Sequence, residues 1–173
     1  QYVPIDEKHP SVGQSPYSAT KIAADQLADS YFRSFNTPVK IVRPFNTYGP
    51  RQSARAIIPT IITQIISGQA QIKLGNLDPT RDLTFVKDTA RGFFEVFRSE
   101  KCIGEATNIG MNEEISVGDL VSLISRLLGS EVIIEQESQR VRTEKSEVER
   151  LWCDNQKIKQ LTNWVPTYDL ETG

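Results

Sequence analysis

Apolar positions along the chain alternate between a helical period and short unbroken runs, and that alternation predicts an α/β protein with a parallel sheet. Residues 15–35 have helical spacing. At about 100° per residue, Tyr17, Lys21, Ala24, Ala28, Tyr31 and Phe35 fall on one face, while Asp25, Asp29 and Arg33 point the other way. Asn36-Thr37-Pro38 ends this helix. Residues 39–42 read as a short buried strand, and residues 44–50 as a loop at its C-terminal end, where open α/β sheets bind ligands. Ile57, Ile58, Ile61, Ile62, Ile65 and Ile66 predict a core-facing helix closed by Gly68.

Residues 72–74 and 83–86 predict two further strands, joined by a turn-rich stretch. Asp88 is placed to cap a helix that carries Ala90, Phe93, Phe94 and Phe97 on one side. Residues 107–110 read as a strand end. Ser116 opens a helix whose stripe is Leu120, Val121, Ile124, Leu127 and Leu128, ended by Gly129. A strand at 132–134 and a charged loop at 138–149 follow. Asp154 then caps a last short helix before Trp164-Val165-Pro166.

Composition narrows the chemistry. With 20 basic and 22 acidic side chains in 173 residues the net charge is −2, so no broad field favours nucleic acid or an anionic membrane. An anionic ligand must be gripped by a few placed arginines. Cys102 and Cys153 fit no metal-ligand or redox spacing, and the lone histidine, His9, excludes a Ser-His-Asp triad and disfavours a His-rich metal site. Neither a long apolar run nor a signal peptide occurs, so a cytoplasmic protein with reduced thiols and no bound metal is expected.

The sharpest chemical feature is Tyr17 and Lys21, four residues apart, which a helix stacks on one face. A positive charge beside a phenol favours the phenolate, and Lys21 would supply it. The bland alternative is a half-buried core tyrosine with a lysine snorkelling past it. Asn46, in the loop at the strand end, could donate to a phosphate oxygen or be a simple turn residue. Arg81, next to a strand, could grip a pyrophosphate with its guanidinium fork, or pair at the surface with Asp82 or Asp78. Arg140 and Arg142, ahead of Glu144 and Glu147, could complete such a site or be a solvated charge cluster.

In order, Tyr17-xxx-Lys21, Arg43-Pro-Phe-Asn-Thr-Tyr-Gly-Pro50, Arg81-Asp-Leu-Thr-Phe-Val-Lys-Asp88, Asn108-Ile-Gly110, Lys145 to Leu151 and Asp154 resemble the extended short-chain dehydrogenase/reductase family. The resemblance covers essentially the whole chain and looks most like the nucleotide-sugar 4,6-dehydratases, similar to the branch handling N-acetylated amino sugars for bacterial surface glycans. It implies the C-terminal part of a Rossmann-like parallel sheet interleaved with a small α/β substrate-binding subdomain. On that reading residues 1–50 and 81–112 belong to the NAD-binding part, 51–80 and 113–150 to the substrate subdomain, and 151–173 to a C-terminal helix region.

The same resemblance implies roles. Tyr17 is the acid/base at the sugar 4-hydroxyl, and Lys21 supports it while bonding the nicotinamide ribose. Pro44 and Phe45 pass the nicotinamide. Asn46, Arg81 and Arg142 hold the diphosphate of a nucleotide sugar, and Glu147 contacts the nucleoside ribose. Thr143, where relatives often have proline, leaves the choice between Arg140 and Arg142 open. NAD is implied rather than NADP, with a homodimer in the intact enzyme. The glycine-rich dinucleotide loop does not occur among the ten glycines, and the serine or threonine and acidic partners of the tyrosine would lie before Gln1. A C-terminal half, inactive when isolated, is therefore expected. Alternatives are a 4-epimerase of the same fold and a non-catalytic nucleotide-sugar-binding remnant.

Overall fold

A computed structural model describes residues 2–69, 71–137 and 148–173. Ser15 opens the first helix, α1 (Pro16–Phe35), with a reciprocal capping box: its hydroxyl accepts from the Ser18 N–H, and the Ser18 hydroxyl accepts from the Ser15 N–H. Asn36, at φ 54°, closes it in the left-handed conformation that asparagine tolerates. The helix is amphipathic in an unexpected sense. Tyr17, Tyr31 and Phe35 stay exposed, while the half-buried face carries Ile22, Asp25 and Phe32.

The chain then enters β1 (Ile41–Pro44) and, one residue later, β2 (Asn46–Tyr48). The predicted strand is therefore shifted by two residues, and the predicted loop contains a second strand. Both pair in parallel with distant segments, β1 with β6 (Ala106–Ile109) and β2 with β5 (Leu83–Phe85), so local propensity carries little signal for either.

The isoleucine run forms α2 (Ile57–Ile66), and the stripe after Ser116 forms α4 (Val117–Leu127). Ile61 and Ile65 of α2 and Leu120, Val121 and Ile124 of α4 pack with Tyr48, Leu83, Phe85 and with Ile72 and Leu74 of β3 (Gln71–Leu74). Burying an isoleucine such as Ile61 or Ile72 completely contributes about 1.5–3 kcal/mol. Leu127 and Leu128, predicted on the same stripe, are exposed at the C-terminal end of α4. β3 pairs in parallel with β8 (Ile133–Gln136). A three-stranded sheet sets β4 (Thr80–Arg81) between antiparallel β7 (Ile115–Ser116) and parallel β9 (Arg150–Leu151).

A second core joins α3 (Val86–Arg98), β6 and α5 (Gln156–Leu161) through Val96, Cys102, Ile109, Ile158 and Trp164. The aromatic side of α3, Phe93, Phe94 and Phe97, faces outward; the buried side is Thr89, Gly92 and Val96. Bulk decides this, because a Cβ at Gly92 would stand 2.6 Å from Ile109 Cδ1. Asp88 is no N-cap: the helix begins two residues earlier, and Asp88 is buried in its first turn. Its carboxylate accepts from the Thr167 and Tyr168 N–H groups at 2.8 and 2.9 Å and from Arg91 at 2.6 Å. Likewise Asp154 lies one residue ahead of the α5 cap, Asn155, although its carboxylate still accepts from the Gln156 N–H.

Burial would raise the Asp88 pKa, but Arg91 and the two N–H groups outweigh it and hold the carboxyl below its ordinary value. A folded-state pKa below the unfolded one stabilises above the unfolded value and is lost as pH falls through the folded one. Asp88→Ala should cost about 2–4 kcal/mol in urea unfolding at neutral pH and flatten this part of the acid dependence. Wild-type stability in D88A at pH 7 would contradict the anchoring role.

Candidate active site

Tyr17 and Lys21 occupy the first turns of α1, and Asp25 of the same helix forms an ion pair with Arg43 of β1 at 2.6 Å. The Arg43 guanidinium also donates to the Glu7 carbonyl, so the opening segment, α1 and β1 share one anchor. Asn108 of β6 adds to it: its N–H donates to the Glu7 carboxylate at 2.8 Å and its side-chain amide to the Ile5 carbonyl at 3.1 Å. Over this frame lies a cleft of about 450 Å³ walled by Tyr17, Lys21, Pro44, Phe45, Asn46 and Asn108. Tyr17 is 74% exposed, which removes the reading of it as a half-buried core aromatic.

A second cleft, of about 560 Å³, is lined by Asn46, Arg81, Gln52 and Arg55 and by the first turn of α2. Asn46 is a wall of both clefts. It sits at the start of β2, paired with Leu83, so it is a strand residue and not a loose turn. Arg81 is held at the pocket wall by donations from one guanidinium nitrogen to the Thr80 and Val148 carbonyls at 2.8 and 2.7 Å. The structure thus brings Tyr17, Lys21, Pro44, Phe45, Asn46 and Arg81 to two adjoining clefts. Arg140, Arg142, Thr143 and Glu147 lie outside the described residues.

Sequence reasoning missed Gln52 and Arg55. The isoleucine periodicity after them drew attention to the core. The signal was present in a polar pair just ahead of a helix start, and Ala56 at the N-cap position of α2 makes no side-chain capping bond. Residues at that end line the same cleft as Arg81. Also missed was Asp82, considered only as a surface partner for Arg81. It is fully buried, and its oxygens accept from the N–H groups of Met111 (2.7 Å), Asn112 (2.9 Å) and Cys153 (3.2 Å). Burial pushes its pKa up to about 6 in spite of those donors. Burial also drives the neighbouring Cys153 thiol up, with the Asp82 charge adding to it, so that thiol is inert as a nucleophile. Among the described residues, no helix is long and apolar enough to cross a membrane.

Over residues 1–173 the chain matches the family described as GDP-mannose 4,6 dehydratase. It is 34% identical over 167 residues to the dTDP-glucose 4,6-dehydratase of Escherichia coli, covering 92% of this chain and 46% of that protein. The crystal structure of dTDP-glucose 4,6-dehydratase from Bacillus anthracis in complex with NAD superposes with a TM-score of 0.89 at 30% identity, covering 98% of this chain and 52% of that one. UDP-glucuronic acid 4-epimerase from Bacillus cereus, in complex with UDP-glucuronic acid and NAD, also gives 0.89, at 28% identity over 100% of this chain and 54% of that one. The chain spans about half the length of the curated relatives it matches.

The raised pKa of Asp82 has the opposite sign of consequence from that of Asp88. Its stabilising contribution is present below the unfolded value, about 3.9, and is lost as pH rises through about 6. The change amounts to roughly 2–4 kcal/mol. Asp82→Asn should remove it, so that the difference in unfolding free energy between wild type and variant shifts across pH 4 to 7. A difference independent of pH would refute the assignment.

Proposed function

Because the chain belongs to the GDP-mannose 4,6 dehydratase family, within the extended short-chain dehydrogenases/reductases, we propose that its two joined clefts form part of the active site of an NAD-dependent nucleotide-sugar 4,6-dehydratase. The observation that carries this reading is the position of Asn46 on both clefts. A ligand with its diphosphate between Asn46 and Arg81 has its sugar directed toward Tyr17.

The first cleft fits the nicotinamide end of NAD in the chemistry of its walls. Lys21 and Tyr17 offer polar hydrogens for ribose hydroxyls, and Pro44 and Phe45 offer an apolar surface for a flat ring. NAD, when bound there, supplies a two-electron acceptor. The chain's own groups do the rest. The Tyr17 oxygen takes the proton from the sugar 4-hydroxyl as that carbon is oxidised, and the Lys21 ammonium lines the same cleft one helical turn away. Asn46 and Arg81 hold the diphosphate, Arg81 through a planar fork suited to phosphate oxygens. The ketone at C4 acidifies the C5 proton, water leaves across C5 and C6, and C6 ends reduced. The net change is redox-neutral: one water is lost, C4 is oxidised and C6 is reduced.

A 4-epimerase is the second reading, favoured by the equally close likeness to the Bacillus cereus epimerase. Incubation of the full-length protein with dTDP-, UDP- and GDP-sugars and NAD separates them by mass spectrometry. A product lighter by one water supports the dehydratase, an isomer of unchanged mass supports the epimerase, and no conversion of any sugar contradicts both. Tyr17→Phe is expected to lower kcat by about 10²–10⁴-fold with UDP affinity retained. Arg81→Ala is expected to weaken UDP binding at least about tenfold. Full turnover by Y17F would remove Tyr17 from the chemistry.

A further inference from the structure

We propose that Asp82 is a positioning residue for substrate binding: its carboxylate clamps the backbone on both flanks of β4 and thereby fixes the aim of Arg81 into the diphosphate cleft. The inference rests on the reading of that cleft given above.

The strands around Arg81 are short. β4 contacts each neighbour through two residue pairs, Thr80↔Ser116 and Arg81↔Ile115 on the β7 side, Thr80↔Arg150 and Arg81↔Leu151 on the β9 side. Ladders this short do not fix their own register, because strands in stable sheets usually run to about five or six residues. Asp82, one residue beyond β4, supplies the missing constraint. Oδ1 accepts from Met111, and Oδ2 from Asn112, on the chain leading into β7; Oδ2 also accepts from Cys153, two residues beyond β9. The Asp82 N–H donates to the Leu151 carbonyl at 2.7 Å. One buried side chain therefore ties three segments together, and one of the residues it holds, Asn112, sits at φ 64°, the left-handed turn conformation that asparagine tolerates.

Arg81 is coupled to the same unit. Its guanidinium donates to Val148, which leads into β9, so a slip of β9 relative to β4 moves the guanidinium along the cleft wall. The clamp reaches the other cleft as well. Leu151 lines the Tyr17 cleft, and the segment after it pairs with Ile5 through the bridge to Cys153 and the bond from the Asp154 N–H to the Ile5 carbonyl. Titratable groups near Asp82 are few: the Cys153 thiol, with Glu7, Asp154 and Lys159 around that thiol. A carboxylate buried without a counter-charge lowers stability when ionised, so the contribution of Asp82 is the geometry it enforces and not folding energy.

The test combines amide exchange with a double-mutant cycle. In wild type, saturating UDP should slow exchange at the Met111, Asn112 and Cys153 amides, since a clamp that favours binding is itself favoured by binding. Asp82→Asn should speed exchange at those amides and weaken UDP about tenfold, with uridine affinity unchanged, and should have no further effect on UDP in an Arg81→Ala background. Three results would overturn the proposal: exchange at the three amides indifferent to UDP, equal weakening of UDP by D82N with and without Arg81, or equal weakening of UDP and uridine. The first of these needs no variant, so it decides the matter even if D82N fails to fold. Wild type binding none of UDP, dTDP and GDP refutes the diphosphate reading instead, and unchanged exchange in D82N then refutes the clamp separately.

Discussion

The arrangement of the site depends on a change of partners at one residue. β1 ends at Pro44 against Ile109 of β6, and β2 begins at Asn46 against Leu83 of β5, so Phe45 alone separates two parallel pairings. The Phe45 N–H donates to the Ile109 carbonyl at 2.8 Å, which fixes the crossing point. Where parallel strands part company at their carboxyl ends, a crevice opens that no side chain of either pair can fill. Asn46 stands in that crevice and faces both ways, and this is why the Tyr17 cleft and the Arg81 cleft adjoin.

Helices were the most legible part of the chain. α1, α2 and α4 follow from periodicity with Ser15, Gly68, Ser116 and Gly129 as punctuation, because these signals are local. Strands were less so. β2 was hidden in a Gly/Pro-flanked loop, since its pairing with β5 joins residues far apart in sequence. The orientation of α3 does not follow from its aromatic side: hydrophobicity says which residues prefer a core, whereas the close approach of Gly92 to Ile109 decides which side can reach it. At the site, Tyr17, Lys21, Asn46 and Arg81 were legible as motif residues. Gln52, Arg55 and Asp82 were not, because their importance comes from tertiary placement.

Asp82 and Asp88, six residues apart and both buried, illustrate how environment divides identical side chains. Asp88 faces a guanidinium as well as backbone donors, and its charge is favoured. Asp82 has backbone donors without a guanidinium partner, and burial prevails. The first fastens the C-terminal segment to α3, and the second constrains a sheet too small to constrain itself.

The outward aromatics of α3 have a consequence for handling the molecule in solution. Phe93, Phe94 and Phe97 retain 46%, 54% and 74% of their accessible surface, and Arg98 and Lys40 cover Phe94 and Phe97 only by cation–π contact. Water ordered around three neighbouring rings is released by any apolar contact, and the gain grows with warming from the cold. The strength of any apolar contact made through this face is thus set by temperature as well as by the modest net charge.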